Sequence, residues 1–142
     1  MSTAVFRHPV RVYYEDTDAS GVVYHANYLR WFERARTEWL RELGLQQQTL
    51  RATSGVVFTV ADLRIEFRRP ARLDDRLEVL TCVPMLRRAS LTFAQTLVRQ
   101  DEDGYLTRAE VRVGCVDVSD FRPRPLPGAL KSAVEAWIRA RG

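Results

Sequence analysis

The sequence predicts one α+β domain over residues 1–142, built from a single antiparallel sheet and one long helix. Three observations lead to this class. A helical pattern of apolar residues occupies the first third of the chain, alternating segments fill most of the remainder, and short turns join most of those segments. A chain of 142 residues buries one core over most of its length, which fits a single domain.

The first part of the chain predicts a short strand followed by the helix. Apolar and polar residues alternate over residues 10–15, which is typical of a strand. Apolar residues then recur at three- and four-residue steps over residues 26–43, and Gly44 supplies a stop. The recurring positions are Tyr28, Phe32, Ala35, Trp39 and Leu43. We expect one amphipathic helix of about 27 Å.

Four further strands are expected after a polar connection, "QQQTLRATSG". Their predicted ranges are 56–67, 76–85, 90–99 and 105–118. Pro70 ends the first of them, and Asp103-Gly104 is typical of a hairpin turn before the last. Since successive strands are joined by short turns, we expect antiparallel neighbours.

The chain then passes a proline-rich stretch, "FRPRPLPG", into a short helix. Its apolar face holds Leu130, Val134, Trp137 and Ile138, and we expect it to pack on its own domain. One long helix covers only one face of such a sheet, so the other face or an edge is exposed to solvent or contacts another subunit. We therefore expect a homo-oligomer, because one sheet edge is otherwise open.

The composition excludes several classes of protein. The net charge is +4, and Lys131 is the only lysine among 22 basic residues. The arginines reflect either genomic base composition or a surface for phosphate. They are scattered, with no stripe that includes exposed aromatics, which argues against nucleic acid. No apolar run is long enough to span a membrane, and the early charges in "MSTAVFRHPVRVYYED" do not resemble a signal peptide, so we expect a cytoplasmic protein. Cys82 and Cys115 are expected to be buried, reduced thiols, with no metal site.

The stretch "DTDASGVVYHANY", residues 16–28, is the candidate site. A helix N-terminus presents unpaired amides and partial positive charge, which stabilise an oxyanion. The candidate amides belong to Tyr24, His25 and Ala26. Asp18 lies seven residues before His25, with Gly21 between them, so its carboxylate could attack a bound carbonyl or activate water.

Ordinary structural roles compete with this interpretation. Aspartate is common in turns and helix caps, and spacing alone favours a capping role for Asp18. A lone histidine near a helix start is more often a satisfied polar residue than a catalyst. Asp16 is expected to be solvated or paired with an arginine. Glu33, inside the helix, is the second choice for a catalytic acid.

The chain resembles a known family at this point. "RVYYEDTDASGVVYHANYLRWFERARTEWL", with "PARLDD", "CVD" and "RPLP" downstream, is similar to the hotdog-fold acyl-CoA thioesterases. It is most similar to the Tol-Pal-associated (YbgC-like) branch, relatives of 4-hydroxybenzoyl-CoA thioesterase. The resemblance covers residues 6–127 and implies a helix wrapped by the sheet, with hydrolysis of an acyl-CoA or acyl-carrier-protein thioester without metal or cofactor.

The resemblance also assigns residues. It implies that Asp18 is the catalytic carboxylate and that the backbone amide of His25 polarises the carbonyl. It also implies a role for the His25 side chain. The hydroxybenzoyl enzyme has a tyrosine at the histidine position, so details of mechanism can differ. CoA phosphates are expected on arginines at strand ends near a subunit interface, and the acyl pocket between two copies of a dimer or tetramer. The phosphate candidates are Arg68, Arg69, Arg87 and Arg88, and the pocket candidates are Tyr14, Val22 and Phe58.

Two other functions remain open from the sequence. A hotdog hydratase also pairs aspartate with histidine at a helix start, but usually at closer spacing than Asp18 and His25. A non-catalytic scaffold that binds acyl chains or acyl carriers for envelope or lipid machinery is the other alternative. An intact Asp18 and His25 argue against binding alone.

Overall fold

The computed structural model describes residues 4–141. Five strands and three α-helices account for most of this range. The strands are β1 (Phe6–Arg11), β2 (Val56–Phe67), β3 (Arg76–Leu86), β4 (Ser90–Arg99) and β5 (Thr107–Asp117). The helices are α1 (His25–Glu42), α2 (Gln47–Ser54) and α3 (Gly128–Arg141), and a short 3-10 helix, Tyr14–Asp16, precedes α1.

All five strands form one antiparallel sheet in the order β1-β3-β4-β5-β2. The strands β3, β4 and β5 follow one another as neighbours, as their short connections predict. One face of the sheet packs against α1, where Trp39 meets the ring of Phe93 edge to face at 5.2 Å. The predicted α+β class, with a five-stranded antiparallel sheet and a C-terminal helix, is confirmed.

The predicted apolar face of α1 is buried. Tyr28, Phe32, Ala35 and Trp39 are at most 4% exposed, and Leu43 is half-buried against the same core. The C-terminal helix α3 adds Leu130, Val134 and Trp137 to this core, with Ile138 packed at its margin. Both helices therefore fold onto their own domain, as the 3.6-residue period predicts.

The predicted strand over residues 10–15 is wrong. The observed strand β1 is Phe6–Arg11, and its last pair is Arg11 with Arg76 of β3. Beyond it, the amide of Val12 bonds to the carbonyl oxygen of Asp75 in a loop, at 3.1 Å, and the 3-10 helix begins at Tyr14. The apolar alternation continued through this turn, so periodicity alone misplaced the strand.

Two further expectations need correction. The polar connection contains α2, which buries only Leu50 and ends at Gly55 in the left-handed conformation, with φ of 67°. One buried residue in eight gives too weak a period to reveal a helix. In addition, β2 pairs with β5 and not with its successor β3, because residues 68–75 carry the chain across the end of the sheet.

The remaining expectations concern thiols and membranes. Cys82 is half-buried and Cys115 buried, and both are free thiols. Burial raises the pKa of each, which keeps them protonated at neutral pH. Among the helices of residues 4–141, none combines the length and apolar character that crossing a bilayer requires.

Candidate active site

The chain between the 3-10 helix and α1 is fixed by Asp16. Its carbonyl oxygen accepts hydrogen bonds from the amide of Tyr24 at 2.9 Å and from Nδ2 of Asn27 at 2.8 Å. Its carboxylate accepts from the amide of Tyr13 at 2.8 Å, closing the 3-10 turn. These hydrogen bonds give Asp16 a structural role in this stretch.

Asp18, the other acid of this stretch, lies in a tight turn. The Asp18 amide bonds to the carbonyl of Val22 at 2.9 Å, and the Gly21 amide bonds back to the Asp18 carbonyl at 3.0 Å. Gly21 has φ of 84°, which favours glycine. One carboxylate oxygen, Oδ1, accepts from the Ser20 hydroxyl and from the Ser20 amide, the latter at 2.8 Å.

These bonds keep the exposed carboxylate ionised. The hydroxyl of Ser20, followed by its amide, lowers the pKa of Asp18 below its usual value, and the nearby His25 adds a smaller effect in the same direction. No hydrogen bond involves the second oxygen, Oδ2, within residues 4–141. A charged carboxylate with one fixed and one available oxygen is suited to act as nucleophile or base.

His25 is the first residue of α1, where backbone amides lack helical acceptors. Within the described part of the chain, the amides of His25 and Ala26 have no hydrogen-bond acceptor. The amide of Tyr24 is bonded to Asp16, so it leaves the set of amides available to an oxyanion. The exposed His25 ring packs against that of Tyr24, with centroids 4.5 Å apart.

A second set of contacts joins this loop to the connection between β2 and β3. The Val23 amide bonds to the carbonyl of Ala71 at 2.9 Å, and the Ala71 amide bonds to the hydroxyl of Tyr28 at 3.0 Å. Val22 also forms a bridge with Arg72. Asp18 and the start of α1 are therefore held at the end of the sheet where β2 finishes.

The predicted phosphate arginines lie at two opposite ends of the sheet. Arg68 and Arg69 directly follow β2, at the same end as Asp18. Arg87 and Arg88 lie in the β3–β4 turn, at the other end. All four are exposed. One chain therefore brings only the first pair towards its own Asp18.

The predicted acyl-pocket residues do not converge within one chain. Tyr14 is 82% exposed and borders a shallow cavity beside Leu73. Val22 is half-buried in the Asp18 loop. Phe58 borders a separate cavity with Trp39 and Phe93, under α2.

Glu33, the second choice for a catalytic acid, lies about 12 Å along the helix axis from His25. It is exposed and accepts a hydrogen bond from the hydroxyl of Thr37 at 3.4 Å. Glu38 pairs with Arg41, as its three-residue spacing predicts. Neither acid reaches the Asp18 loop.

Sequence reasoning missed two features of the site. The bond from Ser20 to Asp18 depends on the backbone path of the turn, although an aspartate two residues before a serine is typical of such turns. It also missed that β2 leaves apolar side chains uncovered on the face towards α1. Leu63 is 39% and Phe67 50% exposed there, and the Phe67 ring lies 5.4 Å from that of Tyr28.

Comparison with known proteins identifies the family. The sequence model of the thioesterase-like superfamily matches residues 12–137. The chain belongs to this thioesterase superfamily. Over 130 residues it is 51% identical to the acyl-CoA thioester hydrolase YbgC of Escherichia coli O6:H1, covering 92% of this chain and 96% of that protein.

Other thioesterases are also similar to this chain in sequence and structure. The acyl-CoA thioesterase YbgC of Haemophilus influenzae is 48% identical over 128 residues, covering 90% of this chain and 93% of that one. The crystal structure of a probable thioesterase from Bartonella henselae superposes with a TM-score of 0.82 at 36% identity, covering 87% of this chain and all of that one. The fold is therefore the thioesterase hotdog, and the chain is a thioester hydrolase.

Proposed function

We propose that this thioesterase hydrolyses an acyl-CoA thioester to the free acid and CoA, with Asp18 as the catalytic carboxylate. The observation that carries the proposal is an ionised Asp18, held by Ser20, beside the free amides of His25 and Ala26. The family relatives, named as acyl-CoA thioesterases, support the choice of substrate class.

The proposed reaction uses the start of α1 as the oxyanion site. The thioester carbonyl oxygen lies against the amides of His25 and Ala26, which stabilise the negative charge that forms during attack. The Asp18 carboxylate either attacks the carbonyl carbon or removes a proton from a water that attacks it. Direct attack breaks the C–S bond, releases CoA and leaves an acyl anhydride on Asp18, which water then hydrolyses to the free acid. The His25 ring holds the carbonyl, orients the water or protonates the departing sulfur.

The experiment measures free-thiol release from a panel of short, long and aromatic acyl-CoAs. Asp18→Asn keeps the shape but removes the charge, so we expect kcat/KM to fall at least about a hundredfold. Asp120→Asn is the matched control, because Asp120 is another exposed aspartate, in the loop after β5. Unchanged turnover in Asp18→Asn would remove it as nucleophile and base.

The same panel separates the alternative functions. A wild-type protein that binds the thioesters but hydrolyses none of them supports the acyl-binding scaffold. Presenting the same acyl group on CoA and on acyl carrier protein shows which carrier is used. A hydratase would instead add water to an unsaturated acyl chain without thiol release. The association with the Tol-Pal system stays a prediction.

We also propose that two copies associate through β2 and complete the acyl site. The strand β2 is an edge of the sheet, twelve residues long and without proline, whereas the other edge, β1, has six residues and contains Pro9. Uncovered Leu63 and Phe67 add apolar surface at this edge. The arginines and the pocket candidate Phe58 would then serve sites shared between copies.

A further inference from the structure

The connection between β2 and β3, residues 68–75, is held at two points by one side chain, that of Arg99 at the end of β4. Its Nη2 donates to the carbonyl oxygen of Pro70 at 2.9 Å and to Oδ2 of Asp75 at 2.9 Å. Its Nε donates to the same Asp75 oxygen at 3.0 Å, and its Nη1 donates to Oε2 of Glu102 at 2.8 Å. We call the bonds to Pro70 and Asp75 the Arg99 clamp, because the planar guanidinium joins two separate points of the connection.

The Arg99–Asp75 ion pair is partly removed from solvent. Its two side chains are 19% and 20% exposed, whereas Arg7 in its pair with Glu78 is 62% exposed. Burial disfavours the charge of Arg99, but the bonds to Asp75 and Glu102 outweigh it and raise the pKa of the guanidinium. Charge-assisted bonds in a partly enclosed site stabilise more than fully exposed ones, so the clamp restrains the connection.

The Asp75 carboxylate also fixes the shape of the turn before β3. Its Oδ2 accepts from the amide of Arg72 at 2.8 Å, and the Asp75 amide donates to the carbonyl of Arg72 at 3.1 Å. Asp74 in this turn has φ of 70°, a left-handed conformation that residues other than glycine seldom adopt. The bonds to one oxygen of Asp75 therefore join this turn to Arg99.

The residues of the connection that contact the Asp18 loop lie between the two points of the clamp. The carbonyl of Ala71 accepts from the amide of Val23 at 2.9 Å, and Arg72 forms a bridge with Val22. The carbonyl of Val22 in turn accepts from the amide of Asp18. A short series of backbone contacts therefore leads from the clamp to the Asp18 loop.

We propose that Arg99 is a positioning residue for thioester hydrolysis, which holds the Asp18 loop in line with the amides at the start of α1. The inference rests on the proposed function, because this alignment matters only if Asp18 and those amides act on one carbonyl. A displacement of about 1 Å between reacting groups costs up to about a hundredfold in rate, so loss of the clamp should lower kcat. KM should change little, since Arg68 and Arg69 are held separately, by amide bonds to the carbonyl of Leu106 at 2.8 and 3.0 Å.

The first test measures amide hydrogen exchange of the whole chain by nuclear magnetic resonance, with no thioester present. In Arg99→Gln, the Val23 amide should exchange at least about tenfold faster, because its acceptor on Ala71 is no longer fixed. The Cys115 amide, bonded to the carbonyl of Ala89 at the opposite end of the sheet, is the internal reference and should keep its rate. An unchanged Val23 amide, or equal acceleration of both amides, would overturn the positioning role.

The second test measures kcat and KM separately for an acyl-CoA that the wild type hydrolyses. Arg99→Gln should lower kcat at least about tenfold and change KM by less than about twofold. Arg99→Lys keeps the charge without the planar fork, so it should restore part of kcat, and it replaces Arg99→Gln if that variant does not fold. Arg7→Gln removes an ion pair between β1 and β3 and is the control, with kcat expected to stay unchanged.

The outcomes separate this role from the proposed function. Asp75→Asn should reproduce both effects of Arg99→Gln, because it weakens the same bonds from the other side. An active wild type whose kcat is unaltered in Arg99→Gln, or whose KM alone rises, would refute the role of Arg99 and leave the proposed hydrolysis standing. A wild type that hydrolyses no acyl-CoA would refute the proposed function, and this role with it.

Discussion

At the scale of single residues, Asp18 owes its charge state to Ser20 and not to burial. The carboxylate is exposed, and its pKa is lowered chiefly by the hydroxyl of Ser20. A lowered pKa keeps the carboxylate ionised further into the acidic range than an unbonded aspartate. We therefore regard Ser20 as a positioning residue for the proposed reaction.

Ser20→Ala tests this role through the pH dependence of kcat/KM. Removing the hydroxyl takes away the largest cause of the shift, so the pKa of Asp18 should rise towards its ordinary value. The acidic limb of the profile should consequently move to higher pH, with part of the shift retained through the Ser20 amide.

The chain contains a matched control for this experiment. Ser119 bonds to Asp117 through its amide and hydroxyl in the same two-residue arrangement, after β5. Ser119→Ala removes an equivalent bond far from α1's start and should leave the profile unchanged. If both variants moved the acidic limb equally, the role of Ser20 would be refuted.

The residues of the site differed in how far they could be predicted. Asp18 and His25 were candidates because they lie at a helix start, but spacing alone favoured a capping role for Asp18. Only the family resemblance favoured Asp18 as the catalytic carboxylate over Asp16, and that role stays a prediction. The occupation of the Tyr24 amide by Asp16 was not predictable, because it depends on how the loop closes on itself.

At the scale of elements, a buried hydroxyl joins α1 to the β2–β3 connection. The Tyr28 hydroxyl accepts from the amide of Ala71, a residue with no solvent exposure. The carbonyl of Ala71 in turn accepts from Val23, two residues before α1. This contact positions the Asp18 loop relative to the sheet.

Tyr28→Phe should lower the free energy of unfolding by about 1–3 kcal/mol, because it leaves the buried Ala71 amide without an acceptor. Denaturant titration measures the change. Tyr105→Phe is the control, since its hydroxyl bonds to Glu66 at the surface and its loss should cost no more than about 0.5 kcal/mol. Equal losses in the two variants would contradict the importance of the buried bond.

Elements with strong periodicity were predicted well and weak ones were not. The strand β4 matches its predicted residues, since its inward side chains alternate from Leu91 to Leu97. The helix α2 has a single buried residue, and it packs against β2, which begins two residues after it ends, so its own pattern carries little of the signal.

At the scale of the whole molecule, strand order decides which edge of the sheet is exposed. The alternation in β2 indicated a strand but not its neighbours, so its position at the edge could not be predicted. Inner-face residues at this edge, Leu63 and Phe67, lie opposite Val111 and Thr107 of β5 yet remain partly uncovered.

If the chain forms the proposed dimer, Leu63→Glu should convert it to a monomer and reduce thioester hydrolysis, because a charge replaces apolar contact surface at the proposed interface. Solution scattering at micromolar concentration measures the mass. Met85→Glu is the control for the mass alone, as Met85 is similarly exposed, at 43%, on a strand away from this edge. It is not a control for hydrolysis, because Met85 contacts the phosphate candidate Arg87. A wild-type protein that is a monodisperse monomer would refute the proposed association.

The separation of the arginine pairs has a consequence for dimers of mixed chains. Arg68 and Arg69 are a sheet's length, on the order of 30 Å, from Arg87 and Arg88. When two β2 edges pair antiparallel, the start of one strand lies beside the end of the other. The β3–β4 turn of one copy is then on the side of the other copy's Asp18. In the proposed dimer, a chain altered at Arg87 would impair the neighbouring molecule's site and not its own. Mixing it with a chain altered at Asp18 should therefore restore one intact site in each mixed dimer.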